Sequence, residues 1–139
     1  MSDTPTPHTL LNPDTLAPAR GYTHAVVAAP GRVVAVAGQV AMDASGTVVG
    51  DTLVEQFDVA LSNVAAALDA AGARPEHVVS MLVFVTAMDE YRAGVRDLGP
   101  VWRRHFGRHY PAMALVATPE LVEPAAKVEI VTTAVVPAG

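Results

Sequence analysis

The chain has 139 residues, 51% of them hydrophobic, and a formal charge of −5 with nine Lys and Arg. That is enough sequence for one domain with a real core, too apolar for disorder and too acidic to present the basic face that nucleic acid needs. Cysteine is absent, which excludes disulfides, thiolate nucleophiles and zinc–thiolate sites and accords with a cytoplasmic location.

Residues 1–20 carry four prolines and no apolar run, so they read as an extended N-terminal arm rather than a signal peptide or membrane anchor. Residues 21–139 read as a single domain, and no stretch in it approaches the roughly 20 apolar residues of a membrane helix. A strand is predicted over 22–29, a turn at Pro30-Gly31, and a second strand over 32–37, rich in β-branched residues. A short strand near 40–42 follows, then a turn at 43–46 and a hairpin arm at 47–49.

The first helix begins at a capping box, Thr52 with Glu55 three residues on. Phe57, Leu61, Val64 and Leu68 form one apolar stripe, and Gly72 is placed to end the helix. The nearly unbroken apolar run at 78–87 reads as a strand covered on both faces. A second helix is predicted over about 88–107, with the stripe Tyr91, Val95, Leu98, Trp102 and Phe106. Gly99-Pro100 is expected to kink or break it. Arg96, Arg103, Arg104 and Arg108, preceded by Asp89 and Glu90, read as a solvated helix face. Strands at 112–118 and 127–136 complete the chain.

The order β-β-(β)-α-β-α-β-β, with about six strands and two helices, makes a two-layer α+β sandwich with both helices on one face of a mixed sheet. Val33, Val34, Val36 and the run from Met81 to Val85 offer water no polar face, so the sheet predicts an oligomer.

Glu129 is a lone carboxylate in an apolar strand. Such a group is costly without a task or a partner: it serves either as a proton-transfer group in a cleft or as an ion-paired or hydrogen-bonded structural carboxylate. Tyr22 offers a phenol hydroxyl to a ligand, or is an ordinary strand aromatic. Gly38 either bares its backbone to a ligand or marks a bulge. Among His24, His77, His105 and His109, only His105 and His109 have a helical i, i+4 spacing, and Gly107 lies between them, so no metal site is expected. No phosphate loop, dinucleotide glycine pattern or Ser-His-Asp order is present.

Several stretches, in order, resemble the Rid family, the reactive-intermediate deaminases of YjgF type. They are Tyr22 after Gly21, Ala37-Gly38-Gln39-Val40, Gln56 and Asn63, Ala70-Ala71-Gly72-Ala73, Val83-Phe84-Val85-Thr86, Pro111-Ala112 and Glu129. The likeness runs from about Tyr22 to Val136. It implies a chorismate-mutase-like fold, assembled as a homotrimer whose sheets close a central barrel, with small-molecule clefts between subunits. It also implies hydrolysis of reactive enamines and imines such as 2-aminoacrylate, without a cofactor. The residues it points to are Glu129 and Tyr22 as catalytic groups and Met113, Leu115, Gly38, Ala37 and Phe84 as substrate-binding groups.

Two positions depart from the family pattern. Met113 stands where deaminating members have the arginine that clamps the substrate carboxylate, and Ala37 replaces a serine. Loss of a charge-assisted clamp of that kind costs about 2–5 kcal/mol, so 2-aminoacrylate turnover is expected to be weak or absent. Either the substrate lacks a carboxylate or another cation serves, with Arg32, Arg108 and His109 as candidates. The alternative to an enzyme is a non-catalytic, metabolite-binding or regulatory trimer of the same fold. An RNA-cleaving reading, also within the family's history, is opposed by the acidic charge.

Overall fold

The computed structural model describes residues 4–139, so the first three residues of the expected arm lie outside the described residues. The described elements run β1 (Thr9–Leu11), β2 (Ala25–Val27), β3 (Gly31–Gln39), α1 (Leu53–Ala70), β4 (Val78–Val85), α2 (Met88–Phe106), β5 (Ala112–Ala117) and β6 (Val128–Pro137), with a 3-10 turn at Pro75–His77. The expected two-layer α+β architecture is present, with its strands divided between two sheets. The main sheet has the order β3-β6-β4-β5, and β1 and β2 form a separate ribbon. β6 runs antiparallel to β3 and β4, while β4 and β5 are parallel. A parallel pair needs a crossover, and α2 supplies it.

Alternation along the strands sorts the side chains. Val36, Met81, Val83, Val85, Val128 and Ile130 pack with Phe57, Leu61, Val64 and Leu68 of α1 and Trp102 and Phe106 of α2 in one core. The opposite face carries Leu82 beside Val131 and Ala114, and Phe84 beside Glu129 and Val116. Val33, Leu82 and Val116 remain 70%, 37% and 40% exposed. The second apolar face read from the sequence is therefore uncovered in the single chain.

Local chemistry sets the helix ends. The Thr52 hydroxyl accepts from the Glu55 backbone N–H at 3.1 Å and donates to Glu55 Oε1 at 2.9 Å. At the other end Gly72 adopts φ +75°, Ala73 N–H donates to Leu68 O at 2.8 Å and Gly72 N–H to Asp69 O at 3.0 Å. This pattern closes the last carbonyls of α1. α2 carries Asp89 and Glu90 in its first turn and Arg103, Arg104 and His105 in its last, matching the helix dipole.

Three local expectations are corrected. α2 is one continuous helix through Pro100 and does not break into two pieces, as Leu98, Val101 and Trp102 anchor the same stretch in the core. Residues 22–24 lie outside β2, since Thr23 turns to the start of β5 and His24 to the arm. The 47–49 segment does pair back on 41–43, through a bridge between Met42 and Val48 with Asp43 N–H to Thr47 O at 2.9 Å and Val49 N–H to Ala41 O at 2.8 Å, but neither arm is a full strand. The arm itself contributes β1 and is pinned through buried His8. Its Nδ1 accepts from Ala29 N–H at 3.0 Å, which leaves the proton on Nε2, 3.0 Å from both His77 O and Val135 O.

Candidate functional site

A cavity of about 430 Å³ opens between α2 and the edge strand β5. Register explains its floor. Met113 pairs with Met81 and Leu115 with Val83, so both point to the helix side of the sheet. As β5 has no strand beyond it, those side chains meet α2 on one side and open space on the other. Tyr91 and Val95 belong to the apolar stripe of α2, yet Val95 stays half exposed because this turn of the helix lines the cavity instead of closing on the core. Trp102 and Tyr110 form the inner wall, stacked with ring centroids 5.9 Å apart and planes 11° from parallel. Burial pushes the Tyr91 phenol up, so it stays a neutral hydrogen-bond donor.

Tyr22 reaches the cavity because its neighbour is clipped to the entry of β5. Thr23 N–H donates to Pro111 O at 3.1 Å, and the Thr23 hydroxyl donates to Tyr110 O. Tyr22 also packs edge-on against His24, with centroids 5.2 Å apart.

Glu129 lies on the other side of the sheet. It pairs with Phe84, which is an odd number of residues from Met81, so Glu129 and Phe84 share the exposed face while Met113 faces the helices. Gly38 sits beside Glu129 at a bulge where Ala37 and Gly38 oppose Val131 alone. A Cβ at position 38 would overlap the Glu129 carboxylate, so glycine here is what lets that side chain lie across β3. Among the described residues Glu129 has no hydrogen-bond or ion-pair partner, and it is only half buried.

The residues singled out from the sequence thus form two groups. Tyr22, Met113 and Leu115 line the cavity; Ala37, Gly38, Phe84 and Glu129 gather on the opposite face. One chain does not bring them together. Gln56 and Asn63 belong to neither group, since both bond to loop backbone. Gln56 takes Lys127 N–H at 2.7 Å and donates to Gly50 O and Ala125 O; Asn63 donates to Val40 O and Met42 O.

None of the cations considered as replacements for the missing arginine reaches the Met113 cavity. Arg32 is exposed on β3, and Arg108 borders a separate hollow of about 120 Å³. His109 is buried with Nε2 2.7 Å from Val78 O, and burial lowers its pKa. The cation that does line the cavity is Arg20, which sequence reasoning missed. The chain bends at Gly21, whose φ is +77°, so no alternation along the sequence announces where Arg20 points. Among the described residues no group of three or more His, Asp or Glu could hold a metal ion, and no helix is long and apolar enough to cross a membrane.

Comparison with known proteins agrees with this architecture. The endoribonuclease L-PSP family model matches residues 13–136. A conserved Rid-family protein of unknown function from Yersinia pestis is 30% identical, with a TM-score of 0.83 over 93% of this chain and 98% of its own. A putative endoribonuclease from Thermotoga maritima is 33% identical, with a TM-score of 0.68 over 91% of this chain and 92% of its own. Escherichia coli TdcF, solved with bound serine, is 25% identical, with a TM-score of 0.65 over 78% of this chain and 93% of its own. A search of curated proteins found no match.

Proposed function

The chain belongs to the endoribonuclease L-PSP family, the YjgF or Rid proteins, and from that premise we propose that it is a homotrimer that binds a small metabolite in clefts between subunits. In that cleft it hydrolyses an enamine, an imine or a related C–N bond, with Glu129 positioning the water. The observation that carries this reading is the division of the site residues between two faces of one sheet. A neighbouring copy can set its Glu129, Gly38 and Ala37 against the Tyr22–Met113 cavity, which no movement within one chain can do. The exposed apolar face with Val33, Leu82 and Val116 supports burial against another copy. A small amino acid held by TdcF supports a ligand of metabolite size. The absence of cysteine supports a cytoplasmic setting.

The chemistry asks little of the protein. Water adds to the imine carbon as a carboxylate takes its proton and passes it to nitrogen; the hydroxyl of the resulting carbinolamine then gives its own proton to nitrogen by the same route, the C–N bond breaks, and ammonia leaves a carbonyl behind. Glu129, unpaired among the described residues, is the available base, and the Tyr22 hydroxyl can hold the substrate. Met113 supplies no anion clamp, so 2-aminoacrylate is a poor substrate in this reading.

The test is ammonia release from imines generated in situ by an amino-acid oxidase, run beside light scattering at micromolar concentration. Glu129→Ala should abolish turnover and keep binding. Binding without turnover in either form favours the alternative, a non-catalytic metabolite-binding trimer. A monomer at micromolar concentration refutes the proposal.

A further inference from the structure

Among the described residues that line the cavity beside Met113, Arg20 is the one charged side chain, and none is Asp or Glu. The Arg20 guanidinium makes no hydrogen bond or ion pair with any described residue. Its backbone is nonetheless held in place. Thr23 is bonded to Tyr110 and Pro111 at the start of β5, His24 N–H donates to Asn12 Oδ1 at 2.9 Å, and the His24 ring lies 2.7 Å from Ala17 O. The segment therefore crosses the entrance of the cavity as a fixed strap, with Arg20 and Tyr22 on it. Beneath that rim the walls are apolar or aromatic. The Trp102 N–H is already donated to His109 O at 3.1 Å, which leaves the phenols of Tyr22, Tyr91 and Tyr110 as the neutral polar groups.

We infer that this cavity takes a hydrophobic monoanion, its apolar body against Trp102, Tyr110 and Met113 and its carboxylate on Arg20, so that Arg20 is the specificity-determining cation of the site. The inference rests on the reading of the Met113 cleft as a ligand site. A planar guanidinium matches a carboxylate in a two-point contact. In the proposed cleft the neighbour's Glu129 is the water-positioning base, so no acid of this chain's lining is left to pair with a cationic ligand, and a neutral one would leave Arg20 unused. A volume of about 430 Å³ lies within the range of small-molecule pockets, which leaves room for a branched or aromatic body and not only a two- or three-carbon acid.

The experiment is calorimetric titration of the full chain at low salt with phenylacetate and with its neutral near-isostere phenylacetamide, with light scattering on the same samples. Phenylacetate should bind at least about tenfold tighter, the size of one charge-assisted contact, and the preference should narrow as salt is added. Arg20→Gln should erase the preference and leave phenylacetamide binding as it was; Arg20→Lys should keep part of it. Equal binding of the two ligands, binding of neither, or a preference that survives Arg20→Gln would overturn the inference. So would inorganic phosphate competing as well as phenylacetate, because the apolar body would then contribute nothing. If Arg20→Gln changes the mass of the particle in place of ligand preference, Arg20 is an interface group and the inference fails. A monomer that still prefers phenylacetate refutes the trimeric cleft and keeps Arg20; a trimer with no preference does the reverse.

Discussion

Gln56 offers the sharpest test of how the fold holds Glu129. Its side chain is 2% exposed and joins two loops to α1. Oε1 accepts from Lys127 N–H at 2.7 Å, and Nε2 donates to Gly50 O at 3.1 Å and Ala125 O at 3.0 Å. With one backbone donor and two backbone acceptors around it, the amide has a single satisfied orientation. Ala125 and Lys127 lead directly into β6, the strand that carries Glu129. At about 1 kcal/mol for each bond, and with the stranded backbone groups left to find water, Gln56→Ala should cost about 3 kcal/mol.

Gln56→Glu separates the hydrogen bonds from the shape. An ionised carboxylate still accepts from Lys127 N–H but points its other oxygen at two carbonyl oxygens. A protonated one can donate to one of them. Burial and those carbonyls raise the folded-state pKa of the introduced carboxyl above its unfolded value of about 4.3. The sign follows: the stabilising, protonated form is fully populated below the unfolded pKa, and its contribution is lost as pH rises through the folded pKa. Relative to wild type, the deficit of Gln56→Glu should be about 3 kcal/mol or more at pH 7.5 and shrink to about 1 kcal/mol near pH 4. Urea melts of both proteins at the two pH values measure it. A deficit that stays constant with pH, or that grows on acidification, would refute the assignment of these three bonds.

Other outcomes are as definite. Burial opposes ionisation of Asp58, but hydrogen bonds from His105 and Arg104, both at 2.6 Å, outweigh it and hold its pKa below the usual value. A depressed pKa stabilises above the unfolded pKa and is lost as pH falls through the folded one, so Asp58→Asn should cost about 1 kcal/mol at pH 7 and almost nothing at pH 2.5, by thermal melts at both pH values. The pair is partly exposed and screened, and a cost well above that would show coupling beyond this pair. Gly72→Ala meets no atom within 4 Å, so its cost comes from φ +75° alone: about 1–2 kcal/mol by urea midpoint, at unchanged slope. Lysine at both Val33 and Leu82 should turn the proposed trimer into smaller species in light scattering, and a variant that keeps the trimer mass would place the interface elsewhere.

The elements with a strong local code were legible in the sequence. The stripe Phe57, Leu61, Val64 and Leu68 is buried throughout, and Thr52 and Gly72 bound α1 as their chemistry demands. What failed was decided by distant contacts. Residues 22–24 have strand-like composition but bond to Tyr110 and Pro111, far along the chain. Pro100 is a breaker by propensity, overridden by core packing on either side. The grouping of the proposed site residues on two faces was not readable. Whether Met113 and Glu129 share a face depends on the register of β4 with both of its neighbours, and no motif encodes that register. Arg20 was hidden for a different reason: it lies in a stretch without periodicity, where only contact with the body gives a side chain a direction.

That division has a physical consequence for the family assignment. A sheet with one face under helices and an apolar face bare is unfavourable alone, and a stronger monomer could be had by polar substitution at Val33, Leu82 and Val116. Retaining those residues makes sense if burying them also completes a site. In a closed ring each chain presents its cavity to one neighbour and its Glu129 face to the other, a heterologous contact that needs both surfaces on one sheet. In the proposed trimer the residues that close the ring are then also the ones that complete the site. The replacement of arginine by Met113 reads differently in that light. It leaves the Glu129 side intact and alters only the cavity side, where Arg20 brings a cation from the arm instead of from β5. In the proposed ligand site the charge therefore sits at the rim of the cavity and not on its floor, which leaves space for a longer apolar body between the anion and the floor.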